Sequence, residues 1–417
     1  MNRGNRLRRF LLLWSGELVS SIGSGLTSFG LGVYLFRQTG SAASMALVTL
    51  LGFLPTLLLS VPAGVLADRY DRRLLMMLGD GCSALGILYI LVCMAAGGAS
   101  LLQICLGVFV SAVFSALLEP SYRATVTDLL TREEYSRASG LMSLAGSARY
   151  LFSPILAGFL LSVGDVKQLL VIDVCTFFLT VAGAAVVRRE IGTKPAEKKE
   201  AFLQSLRGGW RALRAGAGIL PLVAVSSCVT LFMGMFQILA EPLILSFTDA
   251  KTLGVTETVC ACGMLLSSLI LGVRGLRGGY VRTLGISLIL AGVFMAGFGL
   301  FERIASICAF GFLFFAMLPF ANNCLDYLIR TNLPDDAQGR AWGLIGFLSQ
   351  LGYGAAYAVS GAAADVIGRL NGRGVGRGAA TLILAAGVCQ AAVALFILFS
   401  RRIKYMELHP QQEEITT

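Results

Sequence analysis

Gly64-Val65-Leu66-Ala67-Asp68-Arg69-Tyr70-Asp71-Arg72-Arg73 carries five charges in ten residues, and apolar runs over 42–66 and 74–96 flank it on either side. Each run is long enough to cross a bilayer, because about 20 residues at ~1.5 Å rise span the ~30 Å hydrocarbon core. A charged decapeptide between two such runs is a turn at a membrane surface, so the fold is decided here.

Composition agrees with this turn. Hydrophobic residues make up 56% of the 417-residue chain and charged residues 14%, and the mean hydropathy is +0.76. One soluble core cannot hide that much apolar surface. Long apolar segments fall near 10–36, 42–66, 74–96, 101–124, 137–163, 167–187, 218–247, 252–273, 281–301, 304–330, 339–365 and 379–400. The expectation is an all-α polytopic membrane protein with twelve transmembrane helices. Lipid supplies no partner for backbone N–H and C=O groups, and segments this long and uniformly apolar are not barrel strands.

Basic residues set the orientation. With both termini cytoplasmic, 26 of the 34 lysines and arginines fall on the inner side, and Arg369, Arg373 and Arg377 run against the rule. The net charge of +10 is read as a topology determinant and a contact for anionic lipid. No nucleic-acid motif accompanies it. Arg3 to Arg9 and the apolar run after them are too long for a signal peptide and lack a small-residue cleavage site, so a retained first helix is expected. Ten scattered cysteines form neither a disulfide framework nor a metal spacing, and His409, the single histidine, lies in the polar tail. No cofactor or metal is expected, and intramembrane proton transfer falls to carboxylates.

A polar interruption from Arg188 to about Ala217 divides the segments six and six. It predicts bundles over 1–187 and 218–400, a linker over 188–217 with an interfacial helix around Phe202 to Leu213, and a tail over 401–417. A weak repeat supports halves: a shift of 203 lays Arg137-Ala138-Ser139-Gly140-Leu141 over Arg340-Ala341-Trp342-Gly343-Leu344. With these features assembled, the chain resembles the major facilitator superfamily. The loop after the second segment matches that family's G-x-L-a-D-r-x-G-R-r/k pattern with Asp71 at the second Gly, and Leu13-Trp14 through Ser21-x-x-Gly-Ser24-Gly25 resembles its macrolide- and siderophore-exporting bacterial branch. The resemblance implies two six-helix bundles that alternate access to a central cavity, usually driven by a proton or solute gradient.

Helical periodicity nominates cavity residues directly. Glu17, Ser20, Ser21, Ser24 and Ser28 share one stripe of the first segment; Ser227, Thr230, Gly234, Gln237 and Glu241 share one of the seventh; Gly346, Gln350, Tyr353, Tyr357 and Ser360 share one of the eleventh. For any single serine or glycine, close helix packing is an equal alternative. Carboxylates are different, since a charge at mid-bilayer costs at least ~2.5–3.5 kcal/mol. Glu17, among hydroxyls, is therefore expected to exchange protons or contact a cationic substrate, with a structural hydrogen bond as the alternative. Arg149 cannot lose its proton, so it needs a carboxylate such as Glu17, an anionic substrate, or a static ion pair. Glu241 is placed near the outer surface. Asp80 and Asp173 fall on the third and sixth segments, peripheral helices where structural roles are favoured. Arg123 and Asp326, at equivalent repeat positions with opposite sign, offer an inner-gate pair, with simple solvation as the alternative.

The resemblance adds a cytoplasmic gate. It implies that Asp68, in the loop with Gly64 and Arg69, meets the start of the eleventh helix near Gly339 and Arg340, and that Arg72 or Arg73 bridges toward Asp128. The function expected is secondary transport without enzymatic chemistry: proton-driven efflux of drug-like or siderophore-like amphiphiles by a monomer in the bacterial cytoplasmic membrane, its partners being substrate, protons and membrane lipids. Phe312, Phe314 and Phe315 near the polar stripes suit a bulky amphiphile. Lipid flipping or nutrient uptake on the same fold, and a receptor without transport, stay open.

Overall fold

A computed structural model describes residues 3–191, 210, 213, 219–276, 278–333, 338–399 and 407. Among them are long helices and no strand: α1 (Arg3–Thr39), α2 (Ala42–Arg69), α3 (Arg72–Ala95), α4 (Leu101–Ser115), α5 (Leu118–Leu129), α6 (Arg132–Val163), α7 (Val166–Ile191), α8 (Ile219–Leu245), α9 (Ala250–Arg274), α10 (Tyr280–Leu300), α11 (Ile304–Thr331), α12 (Gln338–Leu370) and α13 (Gly374–Phe399). The expected interfacial helix at 202–213 lies outside the described residues save Trp210 and Leu213.

Eleven stretches of described helix are long and apolar enough to cross a membrane, with α4 and α5 together forming one of them, Leu101–Leu129. The remaining member of the expected twelve is α12, which is 33 residues long but diluted by Gly, Ser, Gln and Tyr. The molecule is an all-α integral membrane protein. Apolar side chains such as Leu102, Val273 and Phe396 are largely uncovered, the surface that lipid requires.

One element departs from the expected segments. The fourth is broken at Ala116–Leu117 into α4 and α5. Pro120 explains the break: it has no N–H to donate, and its ring collides with the carbonyl four residues back, at Ala116. Helix starts elsewhere are well terminated. Ser100 and Gln103 form a reciprocal capping box on α4, and Thr131 and Glu134 form one on α6, satisfying N–H groups that a helix end leaves without partners.

The chain divides into two compact units. The first comprises Met1–Gly40, Leu47–Lys199 and Asp249–Thr258; the second comprises Ser41–Ala46, Glu200–Thr248 and Val259–Thr417. Phe10, Leu13, Met76, Tyr122, Val126 and Ala184 sit in the buried core of the first, while Leu222, Leu284, Leu325, Leu328, Ile345 and Ala394 sit in that of the second.

The first turn of α2, grouped with the second unit, carries a cap from far along the sequence. Ala42 N donates to Asp365 Oδ1 at 2.9 Å, Ala43 N to Oδ2 at 3.2 Å, and the Ser41 hydroxyl to Oδ2 at 2.5 Å. Asp365, on α12, is only 6% exposed. A carboxylate here satisfies otherwise orphaned N–H groups and meets the positive end of the helix dipole.

Candidate functional site

In the first unit, α1 packs against α6 and α7 through glycines. A Cβ added at Gly23 would run into Thr176, and one at Gly25 into Ser153. Backbones drawn this close let short side chains bridge the helices. Ser153 Oγ donates to the Ile22 carbonyl at 3.0 Å, Ser21 Oγ to Ala145 O at 3.3 Å, and Thr180 Oγ1 to Gly16 O at 3.4 Å.

Ionisable groups lie along this seam. Ser24 Oγ donates to Asp173 Oδ1 at 3.3 Å, and Asp173, 1% exposed, is within electrostatic reach of Arg149. Arg149 Nη2 donates to Ser28 Oγ at 2.9 Å, and Ser28 Oγ donates in turn to the Ser24 carbonyl at the same distance. The pairing of Arg149 with Glu17 does not form. Arg149 meets α1 at Ser28, eleven residues beyond Glu17, and at ~1.5 Å per residue that separation is about 16 Å along the helix. Asp173 supplies the neighbouring negative charge instead, from a helix whose sequence position had favoured a purely structural role.

Glu17 Oε2 is buried without a hydrogen-bond partner among the described residues. Ser20, one turn on, is buried. Asp80 on α3 is within electrostatic reach of both Glu17 and Asp173. The carboxyl of Asp80 on α3 therefore senses one on α1 and one on α7 inside the first unit.

The second unit arranges its polar groups differently. Along α8 and α12, Ser227 Oγ donates to Leu348 O at 3.1 Å, Thr230 Oγ1 to Ser349 O at 2.5 Å, Ser349 Oγ to Ser226 Oγ at 2.8 Å, and the Tyr357 hydroxyl to Gln237 Oε1 at 2.7 Å. Thr230 thus ties two helices together. Tyr353 and Tyr357 lie with ring centroids 5.8 Å apart, Gln350 is exposed, and Glu241 is half-buried just before Pro242 in α8. Ser226, Asn322, Asp326, Trp342, Gly346 and Ser349 line an open cleft of about 290 Å³. Phe314 does not line a cavity: it is buried at 1% exposure, stacked on Phe236 at 4.7 Å and edge-on to Phe315 at 5.4 Å. Aromatic burial in the core outweighs its place beside a polar stripe.

The expected ten-residue turn narrows to Tyr70–Asp71, because α2 runs to Arg69 and α3 starts at Arg72; there Arg72 Nη1 lies 2.8 Å from Asp128 Oδ2 and donates to the Ala124 carbonyl at 3.2 Å. Arg73 is buried, Gly64 half-buried and Arg69 exposed. The side chains of Asp68 and Arg340 lie outside the described residues. Arg123 pairs with Glu119 one turn away on α5, and both are exposed. Asp71 is a residue that sequence reasoning passed over. It caps α3 by accepting from Arg73 N at 3.1 Å, and its other oxygen meets Arg188 Nε at 2.6 Å. An Asp directly before a helical Arg-Arg-Leu-Leu run is a readable N-cap signal.

Known proteins share this architecture. The chain is 27% identical over 384 residues to a macrolide efflux protein A of Streptococcus pyogenes, covering 86% of this chain and 90% of that protein. It is 26% identical to the enterobactin exporter EntS of Salmonella choleraesuis, covering 80% of each. Among solved structures, a bacterial homologue of the lysosomal transporter Spinster superposes with a TM-score of 0.72 at 16% identity, over 98% of this chain and 99% of that one. The POT family transporter PepTSo reaches a TM-score of 0.76 at 12% identity, over 96% and 98%. The profile of the Major Facilitator Superfamily matches residues 13–356. Membrane helices throughout, the charged turn after α2 and a match over most of its length make this chain a member of the Major Facilitator Superfamily, a transporter and not an enzyme.

Proposed function

We propose that the chain exports small amphiphilic molecules, drug-like or siderophore-like, in exchange for protons by alternating access. It works as a monomer in the bacterial cytoplasmic membrane with both termini in the cytoplasm. Bundles over 1–187 and 218–400, joined by a linker over 188–217, act as the moving bodies. Glu17 takes up and gives back the proton, Ser20, Ser24 and Arg149 shape the cavity on one side, and Gln237, Glu241, Gln350 and Tyr353 shape it on the other. Asp68, Arg72, Asp128 and Arg340 belong to a cytoplasmic gate that must break for inward opening.

The observation that carries this reading is the Glu17 carboxyl, held in an α1 stripe of hydroxyls with one oxygen buried and unbonded. A membrane acid with neither a cation nor a full set of donors gains from binding a proton. The efflux names of relatives spanning at least four-fifths of the chain support the direction of transport.

Energised inverted vesicles from a strain without its own pumps test the proposal, with erythromycin first on a panel of antibiotics. Substrate-induced proton release that is lost in Glu17→Gln is the expected result. Flux without proton movement points to facilitation, and binding without flux to a receptor; either overturns the proposal. Asp68→Asn is expected to abolish transport while the protein stays folded and inserted.

A further inference from the structure

Asp80 has no role in the proposal above, yet its surroundings are unusual. It is 1% exposed, and its Oδ2 has no hydrogen-bond partner among the described residues. Two more buried oxygens are likewise without partners: Glu17 Oε2 and the hydroxyl of Tyr122, itself 3% exposed. Electrostatic contact links Glu17 to Asp80 and Glu17 to Tyr122. Orphan oxygens from α1, α3 and α5 thus share one buried region. Each carries a desolvation cost if left unsatisfied.

We propose that Asp80 is a second proton-binding site of the first unit, exchanging with Glu17 across this shared polar region. The proposal rests on the proton-coupled reading of Glu17. Among the described residues a bare carboxylate at Asp80 has no compensating cation: Arg149 lies beside Asp173, which also accepts from Ser24. An added proton cancels the charge and turns Oδ2 into a donor for a neighbouring oxygen.

Charged groups on two helices act on Asp80, and others lie one step beyond them. Glu17 from α1 and Asp173 from α7 act on it directly; Tyr122 and Glu119 of α5 act on Glu17, Arg123 pairs with Glu119, and Arg149 of α6 acts on Asp173. From α4 the contacts are neutral: Ser83, one turn past Asp80, bonds Ser111 at 2.8 Å and Ser115 at 2.9 Å. In the exchange, an O–H bond breaks at Glu17 and one forms at Asp80. Glu17 is then reprotonated by water of the transport cavity, and no electrons change hands.

Dicyclohexylcarbodiimide provides a probe that needs no known substrate. A membrane-buried carboxylic acid adds across its C=N bond, the acid proton moving to nitrogen. An O-to-N acyl shift then leaves a stable acylurea with nothing expelled. Mass spectrometry of the labelled full-length protein should find adducts at both Glu17 and Asp80. Labelling at Asp80 should fall as the pH is raised, because only the protonated acid reacts, and should persist in Glu17→Gln. Adducts at Glu17 with Asp80 unmodified overturn this inference and leave proton-coupled export standing; adducts at neither site count against both. In proteoliposomes, Asp80→Asn should reduce the protons released after an alkaline jump and Asp80→Glu should restore them. Equal release from wild type and Asp80→Asn also overturns the site.

Discussion

The two units bury polarity in opposite ways. Within the first, Asp80 is in electrostatic reach of both Glu17 and Asp173, and Glu17 and Asp80 each keep an oxygen without a hydrogen-bond partner among the described residues. Along α8 and α12 of the second, the polar stripe is mostly neutral and closed on itself: hydroxyl to carbonyl, hydroxyl to hydroxyl, phenol to amide. A satisfied neutral network rigidifies, whereas an unsatisfied acid is poised to change its charge. The difference teaches that membrane helices with similar-looking polar stripes can be satisfied in different ways, and under the proposed function charge exchange falls to one unit and shape to the other.

This contrast breaks if proton traffic follows the neutral network. The largest expected effect is therefore a paired one: Glu17→Gln loses substrate-induced proton release by at least about tenfold, the amount that one pH unit of proton affinity represents, while Tyr357→Phe leaves the release unchanged. A pH-sensitive dye in vesicles reads both. Asp365→Ala comes next, because it strips acceptors from two backbone N–H groups and a hydroxyl at the start of α2. It should lower stability by about 2 kcal/mol in a denaturation assay in detergent, with Asp365→Asn between the two. Tyr357→Phe, which removes one interhelical bond, should cost only about 0.6 kcal/mol.

The smallest effect concerns Asp249, just before α9, where Thr252 N donates to Oδ1 at 2.8 Å. The Thr252 hydroxyl first, and its backbone N–H second, hold this carboxyl below the usual range. A group with a depressed folded value contributes stability above its ordinary value near pH 4 and loses it as pH falls. Asp249→Ala should cost about 0.5 kcal/mol at neutral pH and less after acidification, measured by thermal unfolding in buffers of graded pH.

Hydropathy alone made the membrane segments legible, because a run of twenty apolar residues has few other uses. Glu17 stood out for the same reason, as an acid among apolar neighbours. Asp173 did not, since its proximity to Ser24 depends on which face of α7 meets α1 and on the glycines that permit the approach. The expected Glu17–Arg149 pair failed on helical rise, which the sequence contains but which needs a known crossing point to apply. The interruption at Ala116–Leu117 was readable in principle from Pro120, though apolar residues on both sides masked it. The contact of Asp365 with Ala42 spans 323 positions, and no local pattern announces a partner at that range.

That imported cap bears on how the molecule is made. Synthesis delivers the start of α2 early, yet the carboxylate that completes it emerges only near the end of translation. Until then three donors at 41–43 must be served by solvent or lipid headgroups at the bilayer surface. A chain cut short before α12 therefore inserts with this corner unfinished, which makes its closure one of the last events of assembly on the ribosome and exposes incomplete products to quality-control proteases.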